Sequence, residues 1–191
     1  MMSEAMNLEE LYQHFASETD SNIYWHVPKL RELATRCRVV TEFGVGPGVS
    51  TTALLVGQPS KLVSYDIQHH PVVERLGGLH GRTDFVFRQE DVLETEPIGF
   101  TDFLFLDSRH TEDQVWGELI RHGHRVIRWI GFHDTVTFGK RGEDMERGIM
   151  YAIQQWLRDH PEWFATYQSS RNNGLLVLSR NPRDDRIQCP M

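Results

Sequence analysis

The sequence predicts an α/β fold: a single-domain, Rossmann-like, doubly wound and mostly parallel seven-stranded sheet, preceded by N-terminal helices and closed by a C-terminal antiparallel hairpin. Three observations predict it. Strand-length apolar runs alternate with helical patterns between residues 37 and 160, the rhythm of successive βαβ units. The glycine-rich stretch TEFGVGPGVSTTALL, Thr41 to Leu55, follows the first of these runs and opens a helix, as the ligand loop of such folds does. Two final runs, FATYQSS and GLLVLSR, are joined by the turn-like RNNG.

Each element has its own signal. Leu8, Leu11, Tyr12 and Phe15 recur at helical spacing, and after the polar break TDSN so do Val27, Leu30, Leu33 and Ala34, which gives two entry helices. CRVVTEF then reads as a strand, STTALLV as a helix, KLVSYDI as a strand, PVVERLGGLH as a short helix and TDFVFRQ as a third strand. TDFLFLDS, a nearly continuous apolar run ending in Asp107, is the fourth, and Thr111 and Gln114 of the following TEDQVWGELIRHG have the spacing of a capping box. RVIRWIGFHDT supplies a fifth strand, MERGIMYAIQQWLRDH a long helix, and the closing hairpin the last two strands. Residues 1–36 are thus expected to form a helical cap, 37–180 the α/β unit, and 181–191, NPRDDRIQCPM, a loosely ordered tail without periodicity.

Composition narrows the function. At 191 residues and 39% hydrophobic, the chain is long enough for one well-buried core and short for two. A formal charge of −7 argues against a binder of phosphate backbones, which needs a basic surface. The cysteines, Cys37 and Cys189, are far apart and outside any CxxC spacing, so neither a disulfide framework nor a structural zinc site is expected. The N-terminal MMSEAMNLEELYQHF carries acids in place of a basic region followed by an apolar one, and no run approaches about 18 apolar residues. A cytoplasmic protein is expected, with a small-molecule partner and a homodimer as its assembly, and with neither nucleic acid nor a membrane.

Gly44, Gly46 and Gly48 allow a tight turn on which a ligand can lie against bare backbone. A dinucleotide fingerprint would place its third glycine at position 49, where Val49 stands, and a triphosphate loop would need a lysine that this loop lacks. Glu42, just before the loop, repels phosphate and suits an ammonium or sulfonium. S-adenosylmethionine carries both cations. Ser50, at the start of the helix, joins the candidate contacts. The same residues have simpler readings: the glycines as turn formers, Asp66 as a helix cap, and Asp91 as a cap of the VLETE segment.

The run EFGVGPG, then SYD at the end of the second strand, then ED after the third, resembles the class I methyltransferase family over roughly residues 37 to 180. The resemblance implies that Glu42, Gly44 and Gly46 hold the methionine part of S-adenosylmethionine, Asp66 the ribose hydroxyls, and Asp91 the adenine. Asp66 lies about twenty residues past the loop, where a carboxylate can accept both ribose hydroxyls. The closing hairpin also fits the family, whose seventh strand is antiparallel.

Two further acids, Asp107 in LFLDSRH and Asp134 in GFHDT, sit at strand ends that face the same crevice. With His133 they would supply one nitrogen and two carboxylates, a set able to hold Mg²⁺ or Mn²⁺ with positions left for substrate oxygens. Here the chain resembles the metal-dependent small-molecule O-methyltransferases and the cephalosporin hydroxylase-like branch, in which an Asp after strand four and a pair after strand five bind the ion. His133 stands where that pair usually has an acid. Without metal, Asp107 can instead lie near the cofactor's amino group, and His133 with Asp134 can orient a substrate. His110, three residues past Asp107, is the candidate base for a hydroxyl proton, with capping of its loop as the alternative. Tyr24, Trp25, Phe138 and Arg141 are candidate lining residues from the covering segments. The expected activity is O-methylation of a small-molecule hydroxyl; a metal-dependent oxygenase or hydroxylase on the same scaffold, and an inactive cofactor-binding module, are the alternatives.

Overall fold

Residues 6–181 are described by a computed structural model, in which the apolar runs become seven strands: β1 (Val39–Phe43), β2 (Lys61–Asp66), β3 (Asp84–Gln89), β4 (Thr101–Leu106), β5 (Val126–His133), β6 (Phe164–Ser169) and β7 (Leu175–Ser179). The helices are α1 (Leu8–Ser17), α2 (Val27–Thr35), α3 (Val49–Val56), α4 (Val72–Leu79), α5 (Glu112–His122) and α6 (Ile149–Asp159). The expected tail lies outside the described residues apart from Asn181.

The strands form one sheet of order β3-β2-β1-β4-β5-β7-β6. β3, β2, β1, β4 and β5 are parallel; β7 runs antiparallel between β5 and β6. The expected seven-stranded, doubly wound sheet with a terminal hairpin is therefore the fold observed. Strand order reverses between β1 and β4, and this reversal opens the crevice in which ligands of such sheets bind.

Both faces of the sheet are covered, which is why the central strands read as continuous apolar runs. Along β4, Phe103 and Phe105 face one layer while Leu104 and Leu106 face the other. On the first side Leu11, Phe15, Leu30, Leu33, Leu54 and Leu76 of α1 to α4 form a core with Phe103, Phe105 and Trp129. On the second, Val115, Leu119, Ile153 and Trp156 of α5 and α6 meet Phe43, Leu104, Ile130 and Phe132. The entry helices share the core of α3.

The helix read from Met145 begins later, at Ile149. Gly148 precedes it in extended backbone, and a Cβ there would stand 2.1 Å from the Phe138 carbonyl oxygen. Residues 145–148 therefore belong to the loop over the strand ends. The RNNG turn closes its hairpin with three left-handed residues, Asn172, Asn173 and Gly174, the backbone hand that suits the twist of paired strands. Among the described residues no helix is long and apolar enough to cross a membrane.

Phe105 is fully buried at the sheet centre. Phe105→Ala should cost about 3–5 kcal/mol, from lost transfer energy plus the cavity left behind. In urea titrations this should appear as a lower midpoint with an unchanged slope.

Candidate functional site

The three glycines after β1 turn out to have three different reasons to be glycine. Gly44 (φ +88°) lies against the chain leaving β4, and a Cβ would stand 2.0 Å from the Asp107 carbonyl oxygen. Gly48 (φ +82°) precedes α3 and packs on Val72, whose methyl carbons would be 2.8 and 2.9 Å from a Cβ. At Gly46 (φ +49°) a Cβ would meet nothing within 4 Å. Gly46 alone faces open space, the property expected where a ligand lies on backbone.

That space is a cleft of about 420 Å³ whose lining includes Phe43, Gly44, Gly46, Asp66, Asp91, Ser108 and Gln114. A smaller chamber of about 180 Å³ adjoins it, lined by Asn22, Ile23, the glycine loop, Ser50, Asp107, His110 and Asp134. Gly44, Gly46 and Asp107 line both. Together the two chambers offer the partly apolar concavity, with a few convergent polar groups, in which a nucleoside-sized ligand is held.

Asp66 is the clasp of the loop. Its Oδ2 accepts from the amides of Val45 (2.9 Å) and Gly46 (3.2 Å), and its Oδ1 from the amide of Gln68 (2.9 Å). His70 Nε2 stands 3.3 Å from the same Oδ2. Asp91, also in the cleft lining, is exposed, and its Oδ1 accepts from the Leu93 amide (2.9 Å).

Glu42 lies beneath the loop and has no exposed surface. Three hydroxyls donate to its carboxylate: Ser50 (2.6 Å), Thr51 (2.8 Å) and Ser64 (2.6 Å). Burial pushes its pKa up to about 7, against the three hydroxyl bonds that favour the charged form. The carboxylate thus ties α3 and β2 to β1, and Ser50, which lines the smaller chamber, is one of its donors.

At the strand ends Asp107, His110, His133 and Asp134 converge, and their ligand atoms all lie within 4.8 Å of one another. His133 Nδ1 is 3.1 Å from Asp107 Oδ1 and 3.1 Å from Asp134 Oδ2; His110 Nε2 is 3.3 and 3.0 Å from the same two oxygens. His110 Nδ1–H donates to Glu143 Oε1 of the loop after β5, and the ring stacks on Phe138. Both ring nitrogens of His110 face carboxylates, so in this state it is an imidazolium. Burial opposes that charge, but Asp107 and Asp134 outweigh it and raise the pKa to about 10. The same balance takes His133 to about 9, while the histidines hold Asp107 and Asp134 below the usual carboxylate range despite burial. Asp134 adopts φ +57°, a conformation uncommon outside glycine, which turns its carboxylate into the cluster.

Adjacent ligands around one divalent ion, at bonds of about 2.1 Å, lie about 3 Å apart. The separations of 3.0 to 3.3 Å here match, so the four side chains fit an ion shared among them. His110, read from the sequence as a separate base, belongs to the same cluster.

The covering segments are locked together. His26 Nε2–H donates to the carbonyls of Arg171 (2.9 Å) and Asn172 (3.1 Å), and its ring meets that of His133 edge-on at 5.6 Å. The Asn172 side chain accepts from Trp25 N and donates to Ser21 O, both at 3.0 Å. This interlock sets Asn22 and Ile23 against the smaller chamber. Of the four candidate lining residues, Phe138 reaches the site through His110; Trp25 packs under Arg171, Tyr24 lies edge-on to Trp25, and Arg141 Nε–H donates to Met145 O.

Sequence reasoning passed over Glu143, His26, Asn22 and Glu118. Only Glu118 had a readable signal: it falls with Val115, Leu119 and His122 on the apolar stripe of α5, an acid at a core position.

The glycine geometry predicts opposite behaviour for two alanines. Gly44→Ala should lose stability heavily or fail to fold, because backbone blocks the Cβ. Gly46→Ala should fold with a loss of about 1–2 kcal/mol from the left-handed backbone alone, by urea titration. A second expectation follows from Glu42. Its folded pKa lies above the ordinary 4.5, so the stability it contributes is present below pH 4.5 and is lost as pH rises through about 7. Glu42→Gln should flatten the fall in Tm across that window, while leaving the further loss that the two histidines impose between pH 6.5 and about 10.

No protein-family model and no curated protein sequence matches the chain. Solved structures do match in fold. An O-methyltransferase from Bacillus cereus, in complex with SAH, superposes with a TM-score of 0.63 at 18% identity, covering 90% of this chain and 89% of that one. The O-methyltransferase TomG from Streptomyces achromogenes, involved in tomaymycin synthesis and solved with SAM, gives 0.61 at 15% identity, over 94% and 91%. The N-methyltransferase NodS from Bradyrhizobium japonicum, with S-adenosyl-L-homocysteine, gives 0.63 at 13% identity, over 93% and 100%. The chain thus has the Rossmann-like fold of class I methyltransferase structures.

Proposed function

We infer that the protein transfers the methyl group of S-adenosylmethionine to a hydroxyl of a small molecule, with a divalent cation held by Asp107, His110, His133 and Asp134. One observation carries the reading: Asp107 lines both the glycine-cradled cleft and the chamber that holds the cluster. Cofactor and acceptor would therefore meet across a single side chain. The methyltransferases of like fold, two of them O-methyltransferases, support the reaction class.

When bound, S-adenosylmethionine supplies an electrophilic methyl group, and a divalent ion supplies a Lewis acid that eases loss of a hydroxyl proton. The chain's own part is positioning. Gly46 leaves backbone bare for the cofactor, Asp66 offers its carboxylate to the ribose, and Asp91 stands at the base end. Two imidazoles among four donors turn the preference from Mg²⁺ toward Mn²⁺ and other first-row ions, because nitrogen ligands suit these better. Glu143, bonded to His110 Nδ1–H, fixes the ring so that Nε2 points at the cluster. The loop over residues 138–148 and the Asn22–Ile23 segment keep water from the reacting atoms. The same donor set favours a second reading, metal-dependent hydroxylation of the acceptor by dioxygen, with a two-electron reductant as co-substrate that takes the second oxygen to water. The two differ in product: a gain of CH₂ against a gain of one oxygen, separable by mass.

S-adenosylhomocysteine should raise the Tm and NAD should not, and Asp66→Ala should weaken its binding by about 1.5–3 kcal/mol in calorimetry. Mn²⁺ must displace protons from His110 Nε2 and His133 Nδ1, so its affinity should rise with pH until about 9 to 10, with protons released to the buffer. The double change His133→Ala with Asp134→Ala should abolish Mn²⁺ binding and turnover while cofactor affinity stays nearly intact. Full turnover in excess chelator would refute the cation, and failure of S-adenosylhomocysteine to bind would refute the methyltransferase reading.

A further inference from the structure

His26 is fully buried beside the cluster and contributes no ligand atom to it. Its Nε2 faces the carbonyls of Arg171 and Asn172, and a carbonyl can only accept, so the ring carries its proton on Nε2. Burial and the neighbouring His133 keep the ring neutral, which leaves Nδ1 as a bare acceptor. That nitrogen is buried and has no hydrogen-bond partner among the described residues. Fastening the hairpin turn uses Nε2–H alone and gives Nδ1 nothing to do.

His133, whose ring meets that of His26 edge-on at 5.6 Å, has the complementary lack. Its Nδ1 faces Asp107 and Asp134, where a cation would take the lone pair of that nitrogen. With Nδ1 given to an ion, the one proton of a neutral imidazole can sit only on Nε2. His133 Nε2 is also buried and also without a partner. Two neighbouring rings thus each carry one unpaired nitrogen, and the two are of opposite sense: a donor on the ligand, an acceptor on the ring outside the cluster. Asp134 Oδ1, on the carboxylate that meets His133, is a third buried atom without a partner. One donor and two acceptors are what a single water satisfies, by accepting from Nε2–H and giving its two hydrogens to Nδ1 and Oδ1.

We propose that His26 is the outer partner of His133: through one bridging water its Nδ1 holds His133 Nε2–H, and so fixes the tautomer and ring angle that present His133 Nδ1 to the cation. His26 is a positioning residue, because it touches neither cation nor acceptor. Ligating imidazoles generally anchor their second nitrogen in this way. His110 has Glu143 for the purpose, and His26 serves His133. The proposal rests on the cation reading above and adds to it the residue that orients one of the ligands.

Two substitutions separate the two nitrogens of His26. His26→Gln puts an amide NH₂ near the place of Nε2, which keeps a donor for the hairpin carbonyls and removes the acceptor. His26→Asn puts an amide oxygen near the place of Nδ1, which keeps the acceptor and removes the fastening. Mn²⁺ binding to the full chain is read from the electron spin resonance signal of the free ion, and Tm from thermal melts without metal. His26→Gln should melt near the wild type and bind Mn²⁺ about 10–100-fold more weakly. His26→Asn should melt lower and bind Mn²⁺ nearly as tightly as the wild type. A His26 that only fastened the turn would give the reverse order. Should His26→Gln not fold, His26→Asn against His26→Phe, which lacks both nitrogens, makes the same comparison. Wild-type Mn²⁺ affinity in His26→Gln, or equal losses of affinity in His26→Asn and His26→Phe, would overturn the proposal and leave the cation reading standing. Failure of the wild type to bind Mn²⁺ would overturn the cation reading and the proposal with it.

Discussion

The site depends on how closely the ends of β1 and β4 approach each other. Gly44 sits so near the Asp107 carbonyl that no side chain fits between them. The two strands are hydrogen-bonded neighbours on either side of the point where strand order reverses, and Asp107 N donates to Phe43 O (2.8 Å) just before the chains part. This contact brings the glycine loop and the acid of the cluster into one crevice.

Around that crevice the protein keeps its buried acids in two different conditions. Asp107 and Asp134 are surrounded by histidines and remain ionised, because opposite charges outweigh the loss of water. Glu42 and Glu118 receive only neutral donors, and burial pushes both up to about 7. The first pair forms an electrostatic cluster whose histidine protons a cation can replace. The second pair acts as scaffold: Glu42 binds three hydroxyls under the loop, and Glu118 accepts from Ser108 and Gln114 behind the cleft lining. Charge and shape are thus assigned to different carboxylates.

The wall of the smaller chamber comes from segments distant in sequence. The turn of the β6–β7 hairpin bonds to the segment before α2 through His26, Trp25 and Asn172, and to the loop after β5 through Asn173, whose carbonyl accepts from Val136 N (2.8 Å) and Thr137 N (3.2 Å). His26 is pushed down to about 4 by burial and by His133 beside it, so it stays neutral with Nε2–H as donor. An antiparallel hairpin at the end of the chain therefore does more than finish the sheet. It fastens the entry segment over the strand ends.

The sequence by itself determined the fold and the address of the candidate site. Strand and helix periods differ, apolar runs mark strands buried on both faces, and a glycine loop after the first strand with acids at later strand ends points to one edge of the sheet. These are local signals, and local signals survive in a linear reading. They also placed Asp107, His133 and Asp134 together, because parallel strands align their carboxyl ends. Only tertiary structure decided that Glu42 lies under the loop among three hydroxyls, that His110 joins the cluster and is held by Glu143, and that Gly44 and Gly46 are glycines for opposite reasons. Such distinctions depend on which atoms lie within about 3 Å of each other. Residues as far apart as His26 and Asn172 carry no mark of their contact until the sheet has folded between them.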